Sequence, residues 1–276
     1  MTKHALSRLF FISLALLCAC KKDNDPPKDP EDKVPQYQLR SITWNNGLKG
    51  EFVYNSESNL QHIEYTFNKV SGRTVFGWND KTFTEMYDDG SLYKNVYEYD
   101  ADGKVIKMRN LPKSGSLSSE YQFEFRYNSN KKLEELKYSI INEAGKELRA
   151  TSLYYYNSAG DLEKAVTDYQ GSIITHTIDS YSPPVSFVPC HYIDPTLMEN
   201  YPIYNVAVIM QLEKRYQLPS KVTRVVKTGS NPSYVDKIEE QLFIVNNYRI
   251  DKLYTTITYP GMPGYVNKLE AVYSYN

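Results

Sequence analysis

Cysteine, histidine and tryptophan are scarce in this chain of 276 residues, with three, four and two copies. Cys18 and Cys20 sit together near the start and Cys190 stands alone, so no spaced set of cysteines staples the fold. A chain of this length buries enough apolar surface without such staples. The histidines, His4, His62, His176 and His191, are scattered over different segments, and none has a partner at metal-ligand spacing. Clustered basic residues are also missing. The 32 Lys and Arg residues are interspersed with 33 Asp and Glu residues for a net charge of −1, which excludes a phosphate-neutralising surface and nucleic acid as a partner. No nucleophile elbow, phosphate loop or His-Glu zinc motif occurs, so the chain is expected to be non-enzymatic and to need no cofactor.

Long apolar runs are lacking except for one, Leu9 to Leu17, which follows the basic residues Lys3 and Arg8. It falls short of the roughly 20 residues that cross a bilayer. With Cys18-Ala19 placing a small residue before Cys20, it is expected to be a lipoprotein signal peptide over residues 1–19. Lipid on Cys20 would then be the membrane anchor, each buried methylene contributing about 0.8 kcal/mol. Removing residues 1–19 takes away Lys3 and Arg8 and no acid, which leaves a mature net charge of −3. The following stretch to Pro35 is rich in proline and charge without an apolar face, as a solvated tether would be. At about 3.1 Å per residue it reaches up to roughly 45 Å. A single β-rich domain is expected over residues 36–276.

That domain has 26 tyrosines and 10 phenylalanines in the whole chain to draw on, side chains that suit a pleated, half-buried surface. In Tyr121-Gln122-Phe123-Glu124-Phe125-Arg126-Tyr127 the aromatics share one face and the polar residues the other, the alternation of an antiparallel strand. Leu269, Ala271, Tyr273 and Tyr275 repeat it at the end of the chain. A longer motif underlies these strands. Tyr54-Asn55, Tyr99-Asp100, Tyr127-Asn128 and Tyr156-Asn157 each place an Asx residue after tyrosine, with Leu60, Val105, Leu133 and Leu162 six positions beyond the tyrosine. Each copy predicts a hairpin whose Asx side chain bonds the turn backbone, with Gly103 and Gly160 supplying positive φ. The irregular intervals between copies suit an up-and-down meander, all-β in class and curved or barrel-like. One short helical insert is expected after Asp194-Pro195, carrying Ile203, Val206, Ile209, Met210 and Leu212 and closed by Leu218-Pro219, although its valines also allow a strand.

Two resemblances follow from these residues. The Tyr-x-Tyr-Asx hairpins, clearest in Tyr97-Glu98-Tyr99-Asp100-Ala101-Asp102-Gly103, resemble the tyrosine-aspartate repeats of the Rhs class over residues 50–170. The whole plan is similar to an uncharacterised family of Bacteroidota outer-membrane lipoproteins described as having a porin-like fold: lipobox, acidic tether, tyrosine hairpins, insert, then Leu218-Pro219-Ser220-Lys221. That resemblance implies a curved meander attached to the outer membrane and carries over no catalytic residue. Lys22-Asp23 resembles the export signal that sends such lipoproteins to the cell surface; the periplasmic face is the other location.

Four side-chain sets have the chemistry of candidate sites. Cys190-His191 with Asp194 offers zinc-binding atoms but no second pair, so a loop is the expected reading. Asp100-x-Asp102-Gly103 has the opening of a calcium loop without its later ligands, so a hairpin turn is expected there. Glu134-Glu135 and Glu239-Glu240 are each adjacent within strands, so each pair is expected to split between the two faces of the sheet. Trp44 and Trp78 lie near hairpin tips, where their rings could stack on sugars or anchor a partner; the competing reading is that they plug the ends of the sheet. They are the candidate ligand-binding residues. The leading expectation is therefore a lipid-anchored β protein binding glycan or a partner protein. Its alternatives are a structural or assembly factor of the envelope and a transmembrane barrel, the last disfavoured because charge alternates along its strands.

Overall fold

The turn chemistry of the tyrosine motif recurs without variation, and it sets the plan of the molecule. In the computed structural model, which describes residues 37–79, 82–114, 119–185 and 217–276, Asn55, Asp100 and Asn128 each turn a side-chain oxygen onto two backbone N–H groups of their own turn. Asn157 Oδ1 likewise accepts from Asp161 N. Three residues after each Asx the backbone takes positive φ, at Ser58, Gly103, Lys131 and Gly160. Glycine fills two of these four positions; Ser58 and Lys131 hold the same geometry without it.

These turns join sixteen strands: β1 Leu39–Trp44, β2 Lys49–Tyr54, β3 Leu60–Phe67, β4 Val70–Asn79, β5 Thr82–Asp88, β6 Tyr93–Tyr99, β7 Val105–Pro112, β8 Ser119–Tyr127, β9 Leu133–Asn142, β10 Gly145–Tyr156, β11 Leu162–Tyr169, β12 Ser172–Tyr181, β13 Pro219–Thr228, β14 Tyr234–Asn246, β15 Arg249–Thr258 and β16 Val266–Tyr275. Each pairs antiparallel with the next in sequence, and β16 pairs with β1 to close a barrel. Closure removes the free edges that an open sheet would present. The expected all-β meander is what forms, and it closes. There is no helix among the described residues; the helical insert, Cys190-His191-Asp194, Cys20 and the tether lie outside them.

Interior packing is concentrated at one rim, where even strands end and odd strands begin. There the motif tyrosine and the aliphatic residue six positions on face each other across a hairpin: Tyr54 with Leu60, Tyr99 with Val105, Tyr127 with Leu133, Tyr156 with Leu162. Each aromatic also reaches backward to the strand before it. Tyr127 Oη donates to Val105 O at 2.7 Å, Tyr156 Oη to Leu133 O at 2.7 Å, Tyr181 Oη to Leu162 O at 2.6 Å and Tyr275 Oη to Ile250 O at 3.1 Å. Tyr99 Oη donates to Phe83 O, and Tyr54 is hydrogen-bonded to the Leu39 backbone. Among the described strands, β4 places Trp78 where the tyrosine would stand, and β14 ends in Val245-Asn246 before a tight Asn247-Tyr248 turn. Burial pushes the Tyr54 and Tyr275 phenols up to about 12, so these hydroxyls remain donors under ordinary conditions. A barrel of sixteen strands is wide enough to leave a water-filled lumen. Here the rings of this girdle fill one end, and Ile63, Leu133 and Ile250 behind it are 0% exposed.

The outer face is mixed, with ion pairs beside exposed apolar side chains such as Leu148, Leu153 and Tyr155. Lys94–Glu85 and Lys221–Glu240 pair at 2.6 and 2.9 Å across neighbouring strands, and Lys146 on β10 reaches over β9 to Glu124 on β8 at 2.5 Å. Pairs so exposed each contribute about 0–1 kcal/mol, and where they stand they interrupt the apolar surface that lipid-facing strands present.

Candidate binding mouth

Several inward-facing side chains lose their burial toward the second rim, while Ile174 and Val226 on β12 and β13 stay buried. On β3 and β4, Phe67 and Val70 oppose each other and are 41% and 69% exposed. On β8 and β14, Tyr121 and Tyr234 face inward by register and are 39% and 55% exposed. Phe123 and Tyr138 lie stacked at 4.9 Å below Tyr121. The lumen is therefore packed at the girdle and lined with accessible rings at the opposite mouth.

One sector of the lumen wall is polar. His176 on β12 faces Arg224 on β13, which faces Lys237 on β14. Lys237 Nζ lies 3.2 Å from Glu239 Oε2, and Gln241 Nε2 donates to Glu239 Oε1 at 2.8 Å. Arg224 Nε lies 3.1 Å from Asp236 Oδ2. Glu239 is 2% exposed, so its charge is held almost entirely by protein groups. His176 is also buried. Burial first, then the positive charges of Arg224 and Lys237, push its imidazole down to about 3.

That displacement has a pH consequence. The unfolded chain binds a proton at His176 near pH 6.5 and the folded barrel only near 3. Unfolding therefore takes up a proton between those values, and the His176 contribution to stability, full above 6.5, is lost as pH falls toward 3. Denaturant midpoints measured from pH 7 to pH 4 should fall less steeply in His176→Gln than in the native protein. Equal slopes would show that His176 does not drive the acid response.

The candidate residues from the sequence occupy other places. Trp44 is 3% exposed at the tip of the short β1–β2 hairpin and belongs to the core. Trp78 belongs to the girdle, its Nε1 donating to Leu60 O at 2.7 Å and its ring 5.4 Å from Phe83. Both indoles fill the interior, as the plugging reading anticipates, and neither lines the mouth. Asp100 and Asp102 form the expected turn, Asp102 pairing with Lys131 at 3.0 Å. Glu239 and Glu240 split between the faces, Glu239 to the lumen and Glu240 to Lys221 outside.

Glu134 and Glu135 do not split, and here the expectation is corrected. A bulge beside Tyr127 breaks the alternation, so Arg126 binds both: Nη1 to Glu134 at 2.6 Å and Nε to Glu135 at 3.2 Å. An inserted residue shifts the following side chain to the other face. The polar lumen sector escaped the sequence reading, although Lys237-x-Glu239-x-Gln241 puts three polar residues on one face of a strand. Alternation by itself points that face to solvent.

No family model matches the chain, and no curated protein matches it in sequence. Among solved structures it is similar to a porin-like protein from Bacteroides uniformis ATCC 8492, with a TM-score of 0.56 and 12% identity over 88% of this chain and 98% of that one. A porin-like protein from Bacteroides vulgatus ATCC 8482 also matches, with a TM-score of 0.41 and 10% identity over 87% and 99% of the two chains. The first likeness is one of fold, and it extends over the closed antiparallel barrel described above.

Proposed function

We propose that this protein is a non-enzymatic barrel, tethered to the outer membrane by lipid on Cys20, that binds a glycan or a partner protein at its open mouth. The observation that carries the reading is the gradient inside the barrel: a girdle packed from water at one rim, accessible tyrosines and a charged wall toward the other. Rings with an apolar face and a polar tip are suited to recognition surfaces, where one part is buried and another stays wet. The described chain begins and ends at the girdle rim, where Asn276 N donates to Gln38 O.

A second reading, an assembly factor of the envelope, is favoured by one feature. Outward on β14 and β15, Leu242 faces Tyr254 and lies beside Ile244, the three 61%, 36% and 43% exposed, an apolar patch bordered by Lys252. One experiment separates the two. Photo-crosslinkers are placed at Tyr121 in the mouth and at Ile244 on the wall of the native lipoprotein in intact cells, with Cys20→Ser as the anchor control. Adducts at Tyr121, and release of the Cys20→Ser protein into the soluble fraction, are expected. Adducts confined to Ile244 would transfer support to the assembly reading, and Cys20→Ser protein still embedded in membranes would remove the anchor.

A further inference from the structure

The polar sector of the lumen is costly to build. Charges withdrawn from water are stabilised less by their pairing than well-packed apolar side chains would be, so the fold alone gives no reason for this wall. Its composition narrows what it could meet. Arg224 and Lys237 are matched by Asp236 and Glu239 at 3.1 and 3.2 Å, which makes the wall rich in hydrogen-bonding groups but without net charge. Glu239, out of water, fixes Lys237 Nζ and the Gln241 amide in place. Toward the open rim, aromatic rings border the sector on both sides. Tyr169 on β11 faces the lumen beside Ser172, and Tyr259, just beyond β15, continues the inward face of Ile257 with Tyr265 5.4 Å away.

We propose that Arg224 and Lys237, held by Asp236 and Glu239 and framed by Tyr169 and Tyr259, bind a neutral, hydroxyl-rich oligosaccharide entering through the mouth. The inference rests on the binding reading above and names its ligand class. Sugar hydroxyls both donate and accept, so adjacent hydroxyls can take N–H donors from Arg224 and Lys237 while donating to Asp236, the more exposed of the two carboxylates. The apolar face of a pyranose packs on a tyrosine ring. An anionic polymer would bring charge to a wall whose cations are already neutralised. An apolar ligand would leave those groups without water or partner, a desolvation cost that disfavours it. An extended peptide finds no open sheet edge to pair with, because the barrel is closed.

The test is binding of the full-length lipoprotein in detergent to neutral gluco-, manno- and xylo-oligosaccharides, polygalacturonate, a heparin fragment and an extended decapeptide. A neutral sugar should bind most tightly. Arg224→Gln and Tyr259→Ala should each weaken it at least tenfold, with Tyr169→Ala as an independent check on the opposite side. Tyr155→Ala, on the outer wall, should leave it unchanged. Unaltered near-ultraviolet circular dichroism establishes that each variant is folded. Tighter binding of polygalacturonate, heparin or peptide, lost in the same variants, would overturn the neutral-sugar assignment and leave the binding mouth standing. Sugar binding indifferent to all three lumen variants would overturn the site. No binding by any probe would overturn the ligand class, while adducts at Tyr121 in cells decide the broader reading separately.

Discussion

Glu239→Ala is expected to lower the thermal midpoint by roughly 6–12 °C. The carboxylate is 2% exposed and takes both Lys237 and the Gln241 amide. Removing it leaves an ammonium that is 14% exposed beside Arg224 and His176, without its counter-charge. Breaking one side of a buried pair costs about 3–5 kcal/mol, and the partial hydration of Lys237 sets the lower end. For a domain of this size about 3 kcal/mol corresponds to that midpoint shift. Replacing both partners, as Lys237→Met with Glu239→Leu, should recover most of the loss, since the unpaired charge disappears. Calorimetry on the single and double variants checks this. A double variant as unstable as Glu239→Ala would show that packing, and not the stranded charge, sets the penalty. The same double variant should weaken sugar binding while regaining stability, which separates function from folding.

Removing a girdle ring should have a comparable effect through different physics. Tyr156 packs against the core, faces Leu162 across its hairpin and donates to Leu133 O at 2.7 Å. Tyr156→Ala deletes the ring and opens a cavity among residues that cannot collapse onto it, at a cost of about 3–5 kcal/mol. Tyr156→Phe keeps the ring and loses only the hydrogen bond, at about 1 kcal/mol. Urea denaturation of both variants separates these contributions. If Phe proves as damaging as Ala, the hydroxyl ladder holds the girdle and the packing is secondary. Tyr99→Phe combined with Tyr181→Phe, on well-separated hairpins, should show additive losses.

Much of this girdle was legible in the chain. Tyrosine, Asx and an aliphatic residue at fixed spacing specify a turn whose hydrogen bonds close within five residues, and local chemistry of that kind is written in local sequence. Alternation in Tyr121 to Tyr127 showed equally directly that the two faces of that strand differ. The backward bonds from each tyrosine to the preceding strand were not legible, because they join residues 15 to 25 positions apart through barrel curvature. Trp78 shows the limit well. Its place near a turn was correct, but only the packed girdle shows its indole bonded to Leu60 O.

On β14 the limit is sharper. Glu239 and Gln241 alternate with Leu242 and Ile244, and sequence logic turns the aliphatic residues inward. Phe243 opposite Leu253 and Val245 opposite Ile250 fix the reverse. Glu239 is thereby buried while Leu242 is 61% exposed. Because the side-chain period is two, one pairing decision sets the facing of every residue on the strand. At Glu134 a single bulge undoes a period that looked secure.

By itself, then, the sequence determined the strand class, the order of the hairpins and the turns that join them, since each depends on groups a few bonds apart along the chain. Tertiary structure alone decided that the meander closes, with Leu39 meeting Tyr275. It also decided which face of each strand looks into the lumen and that a charged wall and a tyrosine-lined mouth lie inside it. Those outcomes depend on register between distant strands, where loop closure and the packing of the whole ring choose among pairings that local preference leaves equal.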